Sequence, residues 1–249
     1  MEAYAKLLTA VAAIVGAVAW PAVFVATVLV FRNDIRAAFK KAQILLDRVN
    51  KVKWADIAVE LDRVADIEAE SGPDKGGKIT LRQIETAARI KIESQELDIQ
   101  ALLRELDRLC LEYDSIRRAL PSGNVRTRAM TRVIVKMRSL APSVADYLDA
   151  YKGSGSPGSR LAAIAIMQMV PAVADVEWLR ERFSSEQPFA FYHASLALQN
   201  VANITNGPEQ KHRLRSAAQD ALARIKGFAG VPDQETVEVL ESLISSLRE

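Results

Sequence analysis

Apolar and charged positions are distributed very unevenly along this chain, and the clearest separation comes first. Residues 7–31 hold no charged side chain, and Arg32 ends the run. At about 1.5 Å of rise per residue, a helix of this length reaches roughly 37 Å and exceeds a hydrocarbon core of about 30 Å. The run therefore predicts a transmembrane anchor over residues 1–31. A cleavable signal peptide is the competing interpretation, because Lys6, a short apolar stretch and Ala17-Val18-Ala19 imitate its three parts.

Basic residues collect immediately after the anchor. Four of them are expected at the membrane surface: Arg32, Arg36, Lys40 and Lys41. The opposite side of the anchor offers only Lys6 against Glu2. By the positive-inside rule, this asymmetry predicts a single-pass protein of the inner (cytoplasmic) membrane, with its N-terminus outside and its C-terminal domain cytoplasmic. The lipid bilayer is thus the first expected partner, because its anionic inner leaflet attracts basic side chains.

The apolar positions of residues 32–70 recur every three or four residues, which predicts a juxtamembrane amphipathic helix. They are Ile35, Phe39, Ala42, Leu46 and Val49 and, after a change of phase near residues 53–56, Ile57, Leu61 and Val64. The alternation of Ile57, Val59 and Leu61 also permits a short strand at this point. Glycine and proline in residues 71–79 then predict a linker, since both oppose helix.

Residues 80–120 have the pattern of one long helix with a heptad repeat. Thr80 is suited to cap its first turn, because threonine accepts hydrogen bonds from exposed backbone N–H groups. The apolar seam comprises Ile99, Leu102, Leu106, Leu109, Tyr113 and Ile116, and Leu120 continues it. A seam of about three heptads favours a coiled coil that joins copies of the chain into a homo-oligomer. The same stripe also fits packing on the C-terminal domain, and the pattern leaves both open.

Residues 121–249 have the pattern of short helices separated by Pro, Gly and Asp. The predicted helices are 125–140, 142–151, 159–169, 173–184, 189–203, 208–225 and 236–248. Since strand patterns are weak throughout, the predicted fold class is all-α: an N-terminal transmembrane helix, long amphipathic stalk helices and a C-terminal repeat-like domain. Paired helices with tight turns resemble HEAT or armadillo arrays. Small residues in 160–166 and 193–199 favour close approach of helix axes.

Composition excludes several classes of function. With 33 Lys and Arg against 31 Asp and Glu, the net charge is +2, so no specific nucleic-acid binding is expected. The single cysteine, Cys110, excludes an intramolecular disulfide, and two histidines leave little for a metal site. No phosphate loop, metal-binding histidine pair or nucleophile motif is present. We therefore predict neither cofactor nor catalytic residue, and expect that the protein is not an enzyme.

Two groups of residues are candidates for binding. Arg126, Arg128, Arg132 and Lys136, with Arg138 after them, lie on a predicted helix. The N-terminus of this helix favours an anion such as a phosphate or a lipid headgroup. The alternative is a basic helix face that pairs with carboxylates such as Asp146 and Asp149. His193 follows Phe189, Phe191 and Tyr192, a cluster that fits a ligand pocket but is more typical of core with one satisfied imidazole.

Two parts of the chain resemble known types of protein. The first comprises Trp20-Pro21, residues 32–38, Val52-Lys53-Trp54 and Val59-Glu60-Leu61. It resembles a recurrent type of single-pass bacterial membrane protein with a Trp-Pro anchor and a basic juxtamembrane helix. The second comprises Arg126-Thr127, residues 137–141, residues 160–165 and residues 188–194. It is similar to helical modules appended to bacterial signalling and defence proteins. These resemblances imply an architecture and a context, and they supply no catalytic residue.

The combined pattern predicts a membrane-anchored cytoplasmic helical scaffold that binds an unidentified protein partner and self-associates. The anchor, the heptad seam and the repeat-like helices support this prediction. The alternative is a membrane-disrupting effector of a bacterial antiviral defence or signalling system, triggered through the helical domain. Small residues in the anchor are compatible with that alternative, because they allow transmembrane helices to pack closely.

Overall fold

A computed structural model describes residues 55–70, 78–94, 98–229 and 233–247 of the chain. From Asp56 onward these residues belong to one compact unit, which extends to Glu249. The predicted anchor at residues 1–31, and the basic residues Arg32, Arg36, Lys40 and Lys41 after it, lie outside the described residues. Within the described ranges, no helix is long and apolar enough to cross a membrane.

The described part of the chain forms ten α-helices, three short 3₁₀ turns and no strand, which confirms the all-α class. Helix α1 covers the described residues 55–70. The remaining helices are α2 (Leu81–Glu93), α3 (Ile99–Ala119), α4 (Asn124–Leu140), α5 (Leu148–Lys152), α6 (Pro157–Met169), α7 (Val176–Ser185), α8 (Pro188–Ile204), α9 (Pro208–Lys226) and α10 (Gln234–Ser246). The 3₁₀ turns are Ala141–Ser143, Ala145–Tyr147 and Pro171–Val173.

Polar caps begin several of these helices. The Thr80 side chain accepts from the Gln83 N–H, as the sequence predicts, and Asp98, Ser156, Asp175 and Asp233 cap α3, α6, α7 and α10 in the same way. Each cap satisfies a backbone N–H that has no partner within its own helix. The starts of these helices are therefore local properties of the sequence.

The prediction of one continuous helix over residues 80–120 is wrong. Helix α2 ends at Glu93, and α3 begins at Ile99 after its own N-cap, Asp98, whose carboxylate accepts from the Gln100 N–H. At the end of α2, the Ser94 hydroxyl bonds to the Lys91 carbonyl and to the Ser143 hydroxyl. An apolar repeat constrains which face is buried, and it does not require an unbroken backbone.

The predicted helix at 142–151 is also different in the structure. Two 3₁₀ turns precede the short α5, and Val144 between them has φ −118° and ψ 13°, which is outside the α-helical region. The other helices predicted after residue 121 are confirmed, each end lying within three residues of its predicted position. Residues 57–61, where the sequence also permitted a strand, are helical.

The heptad seam of α3 packs inside the chain. Leu102, Leu106, Leu109 and Tyr113 are at most 1% exposed, and α3 packs against α4 and α6. Ile99 and Ile116, at the two ends of the seam, are partly exposed. The stripe thus takes the second arrangement that the sequence left open, packing on the C-terminal helices, and its central side chains are not available to another copy.

The core is centred on α6 and α8. Both bury small residues along their contact, among them Ala162 and Ala165 of α6 and Ala194 and Ala197 of α8. At the α3–α6 crossing, Gly158 lies so close to the Cys110 backbone that a Cβ at this position would overlap the Cys110 carbonyl. Small side chains thus permit close helix packing, as the sequence predicts.

Candidate functional site

A cavity of about 450 Å³ opens where four helices meet. The C-terminal half of α3 and the N-terminal ends of α4, α8 and α10 contribute its walls. Its apolar surface comes mainly from Tyr113, Met130, Phe189 and Tyr192. The Tyr113 and Phe189 rings are 6.0 Å apart between centroids, and Phe189 meets the His193 ring edge-on at 4.5 Å. The volume falls in the range of small-molecule pockets.

The rim of this cavity carries charged and polar side chains. Arg117 lies over the Tyr113 ring, 5.7 Å from its centroid. Arg126 donates to the Ser122 hydroxyl at 2.9 Å and to the Leu120 carbonyl at 3.4 Å. Two carboxylates of α10 and its N-cap, Asp233 and Glu235, also line the cavity, and Asp233 accepts from the Thr236 N–H and hydroxyl. Two guanidinium groups therefore flank one apolar volume.

Behind the cavity lies a fully buried polar cluster. Arg138 of α4 is 0% exposed, and its guanidinium donates to Gln168 Oε1 at 2.7 Å and contacts His193 Nδ1 at 3.0 Å. Gln168 Nε2 in turn donates to the His193 carbonyl at 2.6 Å, and Asn200 donates to the Gln168 carbonyl. Helices α4, α6 and α8 are thus joined by hydrogen bonds in the core, where such bonds are electrostatically strong.

These contacts determine the proton position on His193. A guanidinium has donors and no acceptor, so His193 Nδ1 must accept the bond from Arg138. Burial, and secondly the charge of Arg138, hold the pKa of His193 well below its usual 6.5. The imidazole is therefore neutral at physiological pH, and its one proton sits on Nε2.

His193 Nε2–H has no hydrogen-bond partner among the described residues, although His193 is only 1% exposed. His193 lines the cavity, whereas Arg138, which faces Nδ1, does not. Nε2–H is directed away from the Arg138 contact, and this buried atom belongs to a residue that forms part of the cavity wall. A buried donor without an acceptor is costly in a protein interior, which makes this atom the most informative one in the site.

Two neighbouring groups also have shifted pKa values. Burial lowers the pKa of Arg138 to about 10, so its guanidinium remains charged at neutral pH. Burial raises the pKa of Tyr113 to about 12 against the opposing charge of Arg117, so the phenol stays protonated. At neutral pH Arg138 is therefore a cation, and the His193 imidazole and the Tyr113 phenol are neutral. The cavity lining also includes the side chains of Arg117, Arg126, Asp233 and Glu235.

The structure does not bring the four predicted anion-binding residues together. Arg126 lines the cavity, whereas Arg128 is exposed to solvent. Arg132 pairs with Asp66 of α1 at 2.8 Å, and Lys136 pairs with Asp62 at 2.5 Å. The basic row thus divides, and its carboxylate partners come from α1 and not from Asp146 and Asp149.

Sequence reasoning placed Arg138 at the end of the basic row that begins at Arg126, and it connected neither Arg138 nor Arg117 with His193. Arg117 belongs to the solvated flank of a heptad, where a charge is ordinary. Arg138 gives a weak signal: it lies four residues after Ile134 and next to Met137, on the apolar face of α4. His193 is a core residue, as the more typical interpretation held, but half of its imidazole remains unsatisfied.

The other reactive groups and cavities give weaker candidates. Burial raises the pKa of Cys110 to about 12, which leaves a neutral thiol. Within the described residues, no group of His, Cys, Asp and Glu is arranged to hold a metal ion. A cavity of about 290 Å³ between α1 and α2 contains the Glu60–Arg89 ion pair, in which the carboxylate is already occupied.

Comparison with known proteins adds no relative. No protein-family model, no curated protein and no solved structure matches this chain.

Proposed function

We propose that the compact helical unit is a non-enzymatic binding module that takes up a small organic molecule in the 450 Å³ cavity. One observation carries the proposal: a buried N–H donor, His193 Nε2, lies unpartnered among the described residues at the wall of an aromatic cavity. Binding sites combine apolar walls with a few converging polar groups in this way.

The protonation of His193 favours binding over catalysis. A general base needs a free lone pair on a group that can be protonated near neutral pH. The lone pair of Nδ1 is directed at Arg138, and Nε2 already carries its proton. Protonating this imidazole would place a second buried cation beside Arg138. The group is suited to donate one hydrogen bond and to keep its proton.

The binding module is proposed as part of the anchored scaffold that the sequence predicts. With the centre of the α3 seam used inside the chain, self-association needs another surface. The outer face of α2 offers Leu81, Ile84 and Ile92, which are 78%, 49% and 68% exposed. Positions 81, 84 and 92 fall on one side of a helix, so they support a contact with another protein or a second copy.

The cavity is tested with the full-length chain in dodecyl maltoside micelles. The thermal unfolding midpoint is measured with a defined set of aromatic acids, alcohols and amines. A compound that binds only the folded state raises the midpoint, and the rise grows with the logarithm of its concentration relative to its dissociation constant. At least one compound should stabilise the wild-type protein, and if none does, the proposal is wrong.

Matched tryptophan variants locate the binding. Thr127→Trp fills the cavity, whereas Val125→Trp introduces the same side chain at a 73% exposed position two residues away on α4. Gln187→Trp, at the exposed rim, is the second blocking variant in case Thr127→Trp does not fold. We expect the ligand-induced stabilisation to disappear in the blocking variants and to persist in Val125→Trp. Equal stabilisation of all four proteins would place binding elsewhere.

The scaffold part has its own test. Light scattering of the full chain in micelles should give a larger mass than for Ile84→Glu, with Arg128→Glu as the exposed control. Equal masses for the wild type and Ile84→Glu would contradict self-association through α2. The effector alternative differs in one outcome, because only it predicts that ligand addition releases dye from liposomes that contain the protein.

A further inference from the structure

We propose that the ligand of this cavity is a small organic anion with a planar apolar body, one oxygen of which accepts a hydrogen bond from His193 Nε2–H between Arg117 and Arg126. The inference rests on the proposed function, since it assigns a chemical class to the molecule that the cavity takes up. It follows from three features of the site: the unpartnered N–H of His193, the positive charge of the two rim arginines, and the aromatic lining of the cavity.

The donor requires an acceptor. His193 Nδ1 is committed to Arg138, so Nε2 presents N–H and cannot accept. A ligand atom placed against it must therefore carry a lone pair, as the oxygen of a carboxylate or phosphate does. A charged acceptor makes a shorter and stronger bond than a neutral one, which favours an anion over an alcohol or an amide.

The charge requirement comes from the two arginines of the rim. Neither Arg117 nor Arg126 forms an ion pair with a carboxylate among the described residues. Arg126 uses part of its guanidinium on the neutral Ser122 hydroxyl and Leu120 carbonyl, so its charge is not compensated there. Two carboxylates also line the cavity: Asp233 is committed to the first turn of α10, and Glu235 has an interaction of its own.

The backbone adds to this preference. Helices α4 and α8 both begin at the cavity, and neither Gly123 nor Gln187 caps its helix with a side-chain hydrogen bond. The N-terminal end of a helix carries a partial positive charge and favours anions. These helix ends support the two arginines, and the unpartnered His193 N–H is the independent observation that points to a ligand.

The aromatic lining of the cavity favours a planar apolar group in the ligand. Tyr113, Phe189 and Tyr192 line the same volume, and flat rings pack against such side chains face to edge or offset face to face. Arg117 already lies over the Tyr113 ring, so a planar group that enters from the rim meets both a cation and an aromatic face. The volume of about 450 Å³ suits a small molecule of one or two rings.

Four probes separate anion recognition from simple apolar binding: phenyl phosphate, benzoate, benzyl alcohol and benzylamine. Their affinities are measured with the full-length chain in dodecyl maltoside at low salt, where charge effects are least screened. Phenyl phosphate and benzoate should bind about tenfold or more tightly than benzyl alcohol, and benzylamine should bind weakest. If benzyl alcohol binds as tightly as phenyl phosphate, and Thr127→Trp blocks both, the anion assignment is wrong while the proposed function stands.

Variants test the two kinds of contact separately. His193→Phe removes the donor, and His193→Gln restores an N–H donor of similar reach. We expect Phe to weaken phenyl phosphate binding about tenfold and Gln to recover part of it. Arg126→Gln should weaken both anions and leave benzyl alcohol unchanged. Unchanged phenyl phosphate affinity in His193→Phe would overturn the role of Nε2–H.

A spectroscopic measurement distinguishes recognition from a structural role. The chain has two histidines, so protein labelled with ¹⁵N-histidine gives signals from His193 and from His212, which is exposed on α9. Nitrogen shifts should identify a neutral His193 with its proton on Nε2. Phenyl phosphate should move that N–H proton downfield and leave His212 unchanged. A His193 protonated on Nδ1, or an Nε2–H signal that a saturating anion does not move, would contradict the inference.

Discussion

Helix α4 separates two regions of the molecule that use basic side chains in opposite ways. Toward α1, Arg132 and Lys136 are four residues apart and meet Asp66 and Asp62, which are also four apart. Arg132, Asp66 and Asp62 are about half exposed or more, whereas Lys136 is 14% exposed, and the charges are matched pair by pair. Toward α6, α8 and the cavity, Arg138 is fully buried and donates to Gln168 and His193, with the charge of the buried Glu68 also acting on it. Among the described residues, Arg126 donates to a hydroxyl and a carbonyl and pairs with no carboxylate.

The comparison distinguishes basic side chains that connect two helices through ion pairs from basic side chains that remain available to a ligand. A matched surface pair contributes about 0–1 kcal/mol and has little left to offer a ligand. A buried guanidinium that orients an imidazole determines the donor that the imidazole presents to the cavity. The tests below alter each region in turn, and they begin where the structure predicts the largest loss.

Removing Arg138 should cost the most stability. Arg138→Met leaves Gln168 Oε1 and His193 Nδ1 without the donor that they share, a loss of about 2–4 kcal/mol in the free energy of unfolding. Denaturant unfolding monitored by circular dichroism measures it. Arg128→Met, at an exposed position of the same helix, is the control and should change stability by less than about 0.5 kcal/mol. Similar losses in the two variants would remove the distinction between the buried and exposed basic residues of α4.

The close approach of α3 and α6 behind the cavity should be the next most sensitive point. Gly158→Ala places a Cβ against the Cys110 backbone, which cannot move aside as a side chain does. We expect a loss of about 1–3 kcal/mol from overpacking. Gly155→Ala has no atom within 4 Å of its new Cβ and should be nearly neutral. A thermal midpoint of Gly158→Ala equal to that of Gly155→Ala would contradict the tight packing of α3 inside the chain.

The pH dependence of stability should report the buried imidazole. The folded-state pKa of His193 is lowered, so below about pH 6.5 the unfolded chain binds a proton that the folded chain does not. Between pH 7.5 and 5.5 this difference removes about 1.4 kcal/mol of stability. His193→Gln should lose that contribution, so unfolding free energies of the two proteins should converge at the lower pH. Parallel pH curves would show that His193 is not buried in its neutral form.

The smallest changes in stability should come from the ion pairs between α4 and α1. Ligand binding should show the opposite order of sensitivity, because only the cavity side of α4 contributes to it. The Lys136–Asp62 coupling, measured by a double-mutant cycle with Lys136→Met and Asp62→Asn, should be about 0.2–1 kcal/mol and should weaken in salt. Arg132→Gln should leave phenyl phosphate binding unchanged, whereas Arg126→Gln should weaken binding with little effect on stability. If Arg132→Gln impairs binding as strongly as Arg126→Gln, the two sides of α4 do not differ in function.

Much of the helical architecture was predictable because its signals are local. Thr80 is the N-cap that its position in the sequence suggested, and the helices of the C-terminal part match the predicted ranges closely. The failures also have local causes that periodicity does not reveal. Asp98 begins a new helix within a seemingly continuous heptad pattern, and residues 141–147 form 3₁₀ turns around Val144 in place of a single helix.

The candidate site was predictable only in fragments. Arg126 and His193 were singled out for separate reasons, and nothing in their spacing joined them. The row from Arg126 to Lys136 looked uniform because residues four apart share a helix face. Whether a charge on that face meets a carboxylate, a cavity or solvent depends on the neighbouring helix, and here all three occur.

Local chemistry along the chain was enough to establish the all-α class, the Thr80 cap and the apolar stripe of α3, since each depends on residues within a few turns of one another. Tertiary packing alone decided that this stripe lies inside the chain and that the basic row divides. It also brought Arg138 to Gln168 and His193, across thirty and fifty-five positions of sequence. The state of a polar side chain depends on which groups surround it in space, and helix periodicity carries no information about partners so far away.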